Sequence, residues 1–348
     1  MKVLMKGNEA IGEAAIRAGC TLYFGYPITP QNEIPEYMSR RLPTIPGGAY
    51  IQAETEVAAI NMVYGAASTG RRALTSSSSP GVSLMMEGVS YLAGAELPCL
   101  VVNMMRGGPG LGNINPEQAD YFQAVKGGGH GSYRMIVLAP WSVQEMADLT
   151  VLGFDLADKY RNPVMLVAEG NLGQMMEPVE FQPSYPQAHD KSGWALTGAK
   201  DRKGHVITSI YLDADEMEEH IHKLFAKYAE MERTEVRFEE FNTEDADVII
   251  VAYGIVSRVS RIVVESLRES GIKAGLIRPI TLWPFPKEVM HRRAGRAKFY
   301  LTCEMSMGQM VEDVMLSVNG RCPVYFYGRS GGNVPNPTDI IAEVRKHL

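Results

Sequence analysis

Short, continuous apolar runs recur along this chain, and a stretch with helical spacing follows most of them. Leu22-Tyr23-Phe24, Ala73-Leu74-Thr75, Cys99-Leu100-Val101-Val102-Asn103-Met104, Met135 to Ala139 and Pro163 to Ala168 form a first series. Runs that stay apolar without alternating belong to strands covered on both faces. Helical patterns fill the intervals. They cover 7–19 around Ala10, Ile11, Ala14, Ala15 and Ile16, then 32–42, then a segment opening with Glu54-Thr55-Glu56 and ending near Gly70, then Val82 to Ala93. Ser142, with Glu145 three residues on, reads as a capping box for a helix to about Tyr160. Alternating strands and helices predict a parallel α/β layer fold.

A second series begins near Asp245 with Val248 to Ala252, Lys273 to Pro279, Lys298 to Glu304 and Val324 to Gly328. Between the two series the periodicity fails, with Pro178, Pro183, Pro186, Gly193 and Gly198 as interruptions. That stretch reads as a linker or an arm laid over another surface. Asp213 then caps an amphipathic helix whose apolar stripe is Met217, Ile221, Leu224, Phe225, Tyr228 and Met231. The 348 residues suit about two domains. The boundaries fall at 1–177 for a first α/β domain, 178–240 for the arm and helix, and 241–348 for a second α/β domain.

Several classes of function drop out. The net charge is −6 and no basic block occurs, so nucleic acid is not an expected partner. Cys20, Cys99, Cys303 and Cys322 are far apart, so neither a zinc nor an iron–sulfur site is encoded in this chain. Sparse, unpaired cysteines suit a reducing cytoplasm. Met1 to Asn8 lacks the apolar run of a signal peptide, and no apolar run reaches the roughly 18 residues of a membrane span.

Polar residues of interest cluster where the first series of strands ends. Tyr26-Pro27-Ile28-Thr29-Pro30 follows one strand, and its two prolines stiffen a turn that presents a hydroxyl. Ligands of parallel α/β sheets bind at that edge. Glu56 enters an otherwise apolar helix; a carboxylate there favours its neutral form unless it has a dedicated partner. First-turn acids also simply complement the helix dipole, and a Pro-x-x-Pro turn also serves as a rigid connector. The serines of Thr75 to Gly81 read as a loop, either an N-cap cluster or a polar lip for a ligand. Arg106 opens a glycine-rich loop, Gly107 to Gly112, and suits recognition of a planar carboxylate. That loop lacks the prompt helix and the later acid of a dinucleotide fingerprint. His130, in its own glycine loop, reads as structural.

The order of these motifs resembles a known family. Tyr26 to Pro30, the Gln52-Ala53-Glu54-Thr55-Glu56 helix start leading to Gly65-Ala66, Thr75 to Gly81, and Arg106-Gly107-Gly108-Pro109 look like the α subunit of 2-oxoacid:ferredoxin oxidoreductases. Met5 to Ala10, Gly127 to Gly131 and Arg161 to Met165 bring the resemblance nearest to the branched-chain (2-oxoisovalerate) enzymes, and it covers nearly the whole chain. It implies a thiamine-diphosphate-binding pyrimidine-type domain followed by a transketolase C-terminal-like domain. It also implies oxidative decarboxylation of a 2-oxoacid with CoA, giving acyl-CoA, CO2 and reduced ferredoxin.

By the same matching, a glutamate bonds ring N1′ of the cofactor. Glu56, nine residues before Gly65, fits that role; Glu54 fits only with the register moved by two. Thr29 and Arg106 would hold the substrate carboxylate, and Pro27, Ile28 and Ser79 would line the cofactor. The diphosphate and Mg2+ are then expected on a β subunit, and [4Fe-4S] clusters on partner subunits, with γ and ferredoxin-like δ subunits completing the complex. Two other readings stay open: a 2-oxoglutarate or pyruvate enzyme of the same family, and a non-catalytic CoA- or nucleotide-binding α/β assembly protein.

Overall fold

A computed structural model describes residues 2–182, 185 and 189–348. Met1, Pro183 and Pro186, used in the reading above, lie outside the described residues. The chain begins β1 (Lys2–Lys6), α1 (Gly7–Arg17), β2 (Leu22–Gly25), α2 (Glu33–Arg41), β3 (Ala49–Gln52), α3 (Glu56–Ser68), β4 (Ala73–Ser77) and α4 (Ser79–Gly94). It continues through β5 (Cys99–Met105), α5 (Tyr121–Val125), β6 (Ile136–Leu138), α6 (Val143–Tyr160), β7 (Pro163–Glu169), α7 (Gly170–Gln174) and β8 (Met176–Glu180). The rest comprises α8 (Ala214–Thr234), β9 (Phe238–Phe241), β10 (Val248–Val251), α9 (Gly254–Glu269), β11 (Ala274–Pro279), β12 (Thr281–Trp283), α10 (Lys287–Ala294), β13 (Phe299–Glu304), α11 (Met310–Val318), β14 (Val324–Gly328) and α12 (Pro337–Lys346).

The larger sheet has the order β12-β6-β7-β5-β4-β2-β3. Its core strands are parallel and buried along their length, as the continuous apolar runs require. The order reverses between β2 and β4: the chain leaves β2 toward β3 on one side, then returns to β4 on the other. Such a reversal opens a crevice at the carboxyl ends of the two strands. The second sheet, β14-β13-β10-β11-β9, is parallel except for β9.

Several expectations need correction. The chain opens with a strand, β1, paired antiparallel to β8, before its first helix. Glu54 and Thr55 stand outside α3; Thr55 is its N-cap, and its Oγ1 accepts the Ala58 N–H at 3.1 Å. The serine run is not a loop, because Ser76 and Ser77 end β4 while Ser79 already lies in α4. β7, the last strand of the first series, lies inside the sheet between β5 and β6. The last strand on that side is β12, a late segment that pairs antiparallel with β6. In α8 the buried members of the stripe are Leu224, Tyr228 and Met231, while Met217 and Phe225 are exposed. Ser142 caps α6 as expected, but the Glu145 carboxylate accepts the Trp141 N–H and pairs with Arg278 of β11.

The two halves meet through buried polar groups. Gln118 exchanges two hydrogen bonds with the Met305 backbone, at 2.7 and 3.0 Å, and donates to the Tyr253 carbonyl and to Glu169. Glu169, fully buried at the end of β7, also accepts the Ile255 N–H at the start of α9. Burial pushes its carboxyl up to about 7, against these hydrogen bonds. The segment around Lys191 and Trp194 lies against the first half: Lys191 pairs with Asp158 at 2.6 Å, and the Arg161 guanidinium sits 4.6 Å over the Trp194 ring.

Candidate active site

The turn after β2, the N-terminus of α3, the end of β4 and the end of β5 converge at the crevice. Glu56 is the first residue of α3 and only 5% exposed, whereas Glu54 is exposed. Ser77 Oγ donates to Glu56 Oε1 at 3.2 Å. Glu56 Oε2 has no protein partner among the described residues. The backbone of Gly81, in the first turn of α4, lies directly against this carboxylate. Two hydroxyls of the same chain segment, Thr75 Oγ1 within β4 and Ser78 Oγ just after it, are buried without a hydrogen-bond partner among the described residues.

One turn of chain away, Ser79 links α4 to β5. Its Oγ accepts the Arg106 N–H at 3.0 Å and donates to Asp120 Oδ2 at 2.6 Å. Asn103 donates to the same Asp120 oxygen at 2.9 Å. Burial raises the Asp120 carboxyl above its ordinary range, opposed by these two donors. The Ser79 hydroxyl is thus already engaged by protein groups. Arg106 is nine-tenths buried. Its Nη1 donates to the Thr29 carbonyl at 2.9 Å and its Nη2 to the Leu111 carbonyl at 3.3 Å, while Nε has no partner among the described residues.

Thr29, Pro27 and Arg106 therefore share one edge, as the sequence suggested. Thr29 Oγ1 accepts from Asn32 at 3.4 Å and donates to no partner among the described residues, and its side chain is exposed. Pro27 is exposed and Ile28 half-buried, which leaves this side of the crevice open at the protein surface. His130 lies apart, with Nδ1 3.2 Å from Ser90 Oγ and its ring edge-on to Tyr91. Sequence reasoning flagged the Thr75 to Gly81 run as a possible ligand lip but gave Ser77 and Gly81 no role of their own, and it assigned none to Asn103 and Asp120. A usable signal was present: polar residues ending continuous apolar runs, and a glycine three residues into a helix.

A buried, half-satisfied carboxylate thus stands at the reversal point of a parallel α/β sheet, with a tethered arginine at the end of the nearby strand β5. The fold is that of transketolase: a structure described as "Split gene transketolase, inactive beta4 tetramer" superposes with TM-score 0.63, covering 99% of this chain and 98% of that one, at 14% identity. Likeness at that identity concerns fold alone.

The particular family follows from closer matches. Residues 13–241 match the family "Pyruvate flavodoxin/ferredoxin oxidoreductase, thiamine diP-bdg", and residues 246–340 match "Pyruvate:ferredoxin oxidoreductase core domain II". The chain belongs to the 2-oxoacid:ferredoxin oxidoreductases and is a subunit-type member of that family. Ketoisovalerate oxidoreductase subunit VorB of Methanothermobacter marburgensis is 52% identical, over 99% of this chain and 97% of the relative. The 2-oxoglutarate synthase subunit KorA of Methanothermobacter thermautotrophicus is 35% identical, over 98% of each. A structure of 2-oxoglutarate:ferredoxin oxidoreductase from Magnetococcus marinus, with 2-oxoglutarate, coenzyme A and succinyl-CoA bound, superposes with TM-score 0.88 at 29% identity. The match covers 99% of this chain, which spans 65% of that longer one. No described helix is long and apolar enough to cross a membrane.

Proposed function

We propose that this chain is the α subunit of a branched-chain 2-oxoacid:ferredoxin oxidoreductase, acting on 2-oxoisovalerate with CoA. The observation that carries the reading is Glu56, buried at the sheet's reversal point with one carboxylate oxygen bonded by Ser77 and the other without a partner among the described residues. These residues fit an aminopyrimidine: an acceptor oxygen with no partner among the described residues, and a glycine that admits close approach. Thiamine diphosphate, when bound, supplies the electron sink for decarboxylation. Glu56 would hold a proton at ring N1′ through Oε2, and Ser77 would fix the carboxylate's orientation. Pro27 and Ile28 would provide the apolar wall beside it.

Arg106 would take the substrate carboxylate. An arginine offers two parallel hydrogen bonds to such a group, and this one is held in place from two carbonyls rather than from an acid that would compete. Thr29 adds a hydroxyl that donates to no partner among the described residues. Ser79 orients the Arg106 backbone through its paired bonds with the arginine N–H and Asp120.

The open side at Pro27 and Thr29 suits closure by a β subunit that holds the diphosphate and Mg2+. Electrons would leave through [4Fe-4S] clusters of a ferredoxin-like δ subunit to ferredoxin, with a γ subunit completing the complex. The four free cysteines suit a cytoplasmic setting. Reconstitution with the other subunits tests this. Ferredoxin reduction with 2-oxoisovalerate, 2-oxoglutarate and pyruvate should give the highest kcat/KM on 2-oxoisovalerate, and the isolated chain should be inactive. A preference for 2-oxoglutarate, or turnover by the isolated chain, contradicts the reading.

A further inference from the structure

Between Arg106 and Gln118 the chain makes a glycine-rich excursion from β5. Its base is closed by backbone contacts: Arg106 bridges Pro116, Gly107 N donates to Asn115 O at 2.8 Å, and Asn113 N donates to Gly107 O at 3.0 Å. Gly112, at φ +54, is obligatory there, because an added Cβ would stand 1.8 Å from the Gly107 carbonyl oxygen. The tip is unsupported, with Leu111 84% exposed. Yet the Leu111 carbonyl is one of the two acceptors that hold the Arg106 guanidinium. Something other than packing at the tip must fix the loop.

Glu117 does so. It is 2% exposed, and its two oxygens are divided between two distant segments. Oε2 accepts the Gly108 N–H at 2.8 Å, and Oε1 accepts the Gly331 N–H at 2.9 Å. It forms no ion pair among the described residues. A buried carboxylate satisfied by backbone N–H groups alone is a directional clamp, not a charge partner. A second tie runs alongside, from Asn113 Nδ2 to the Gly331 carbonyl at 3.2 Å. The two loops interlock: a Cβ on Gly332 would lie 2.2 Å from Asn115 Cβ. The far loop is in turn fixed to the second sheet, since Arg329 N donates to the carbonyl of Glu304 at the end of β13 at 3.2 Å.

We propose that Glu117 is a positioning residue for Arg106, through which the loop after β14 sets the geometry of the substrate-side guanidinium. The line of contact runs from β13 to Gly331, Glu117, Gly108, the Leu111 carbonyl and Arg106. Because Glu117 grips the loop and not the arginine, it leaves the guanidinium free for the substrate carboxylate. The inference rests on the proposed role of Arg106 toward that carboxylate.

The test uses the complete reconstituted oxidoreductase with 2-oxoisovalerate. Glu117→Ala should raise the 2-oxoacid KM about tenfold, with kcat within about twofold and the KM for CoA unchanged. Asn113→Ala, which alters an exposed side chain and keeps the test in hand if the first variant does not assemble, should raise the same KM about twofold. In an Arg106→Ala background, Glu117→Ala should add nothing further, because the two act on one interaction. An unchanged 2-oxoacid KM in Glu117→Ala and Asn113→Ala, while Arg106→Ala raises it, overturns the positioning role alone. Fully additive effects in the double variant do the same. If Arg106→Ala itself leaves that KM unchanged, the reading of Arg106 has failed, and the inference with it.

Discussion

Gly81 lies so close to Glu56 that a Cβ built on it would stand 2.2 Å from the carboxylate Oε1 and 2.1 Å from Ser77 Oγ. No side chain fits between these groups, so the first turn of α4 is shaped around the acid. Gly81→Ala must therefore push Glu56 aside or strain α4. Overpacking of this kind costs about 1–3 kcal/mol of stability. The loss of activity should be larger, about a hundredfold in kcat, since a small misplacement of a proton-holding group is that costly. Thermal unfolding and steady-state kinetics on the assembled complex check the two effects separately.

Ser77 provides the hydrogen bond that Glu56 receives from a side chain. Ser77→Ala removes an interaction worth about 1 kcal/mol, so kcat should fall roughly fivefold. Ser77→Thr keeps the donor and should restore most of that loss.

Glu169 gives the joint between the two halves a pH dependence. Its carboxyl is pushed from 4.5 up to about 7 by burial. A carboxyl raised on folding contributes its stability in full below about 4.5, and that contribution is lost as the pH rises through about 7. The shift amounts to on the order of 3 kcal/mol across that window. Wild-type stability should thus decline from pH 5 to pH 8 more steeply than that of Glu169→Gln, which has no proton to lose. Equal slopes in urea unfolding at the two pH values would remove Glu169 from the account.

Arg278 joins the halves by charge. Its side chain is 3% exposed, its two Nη atoms each lie 2.8 Å from an oxygen of Glu145, and its Nε lies 3.0 Å from Glu239. The guanidinium also stacks 4.4 Å over Trp141. Arg278→Ala should cost about 2–3 kcal/mol, less than for fully enclosed pairs because both carboxylates keep some contact with water. Thermal unfolding should show the loss, while kcat at 25 °C stays near the wild-type value.

Much of this architecture is legible in the sequence because parallel strands buried on both faces leave continuous apolar runs, as at Cys99 to Met104 and Pro163 to Ala168. The edges were not legible. β1 and β8 carry Lys2, Lys6, Glu177 and Glu180, and the apolar run these leave is only Val3-Leu4-Met5 in β1, too short to mark a strand by itself. β12 is three residues long and joins a sheet built mainly from residues more than a hundred positions earlier, which no local pattern encodes. At the site, Glu56 stood out against an apolar helix, and Arg106 against glycines. The residues that hold them, Ser77, Asp120 and Glu117, act through partners distant in sequence, so their neighbours in the chain say nothing about them. A general cue does survive: Glu169 and Glu304 each end a buried strand, and each carboxylate turns out to bond the first backbone N–H groups of a helix.

The central claim is that the Glu56 carboxylate handles a proton on the cofactor. Glu56→Gln in the fully assembled complex tests it most directly, since the amide keeps the size of the group and the bond from Ser77. Ferredoxin reduction with saturating 2-oxoisovalerate and CoA should fall by about 10²–10⁴-fold while subunit assembly and thermal stability stay intact. A kcat within about twofold of wild type would contradict the account, whatever else in the structure stood.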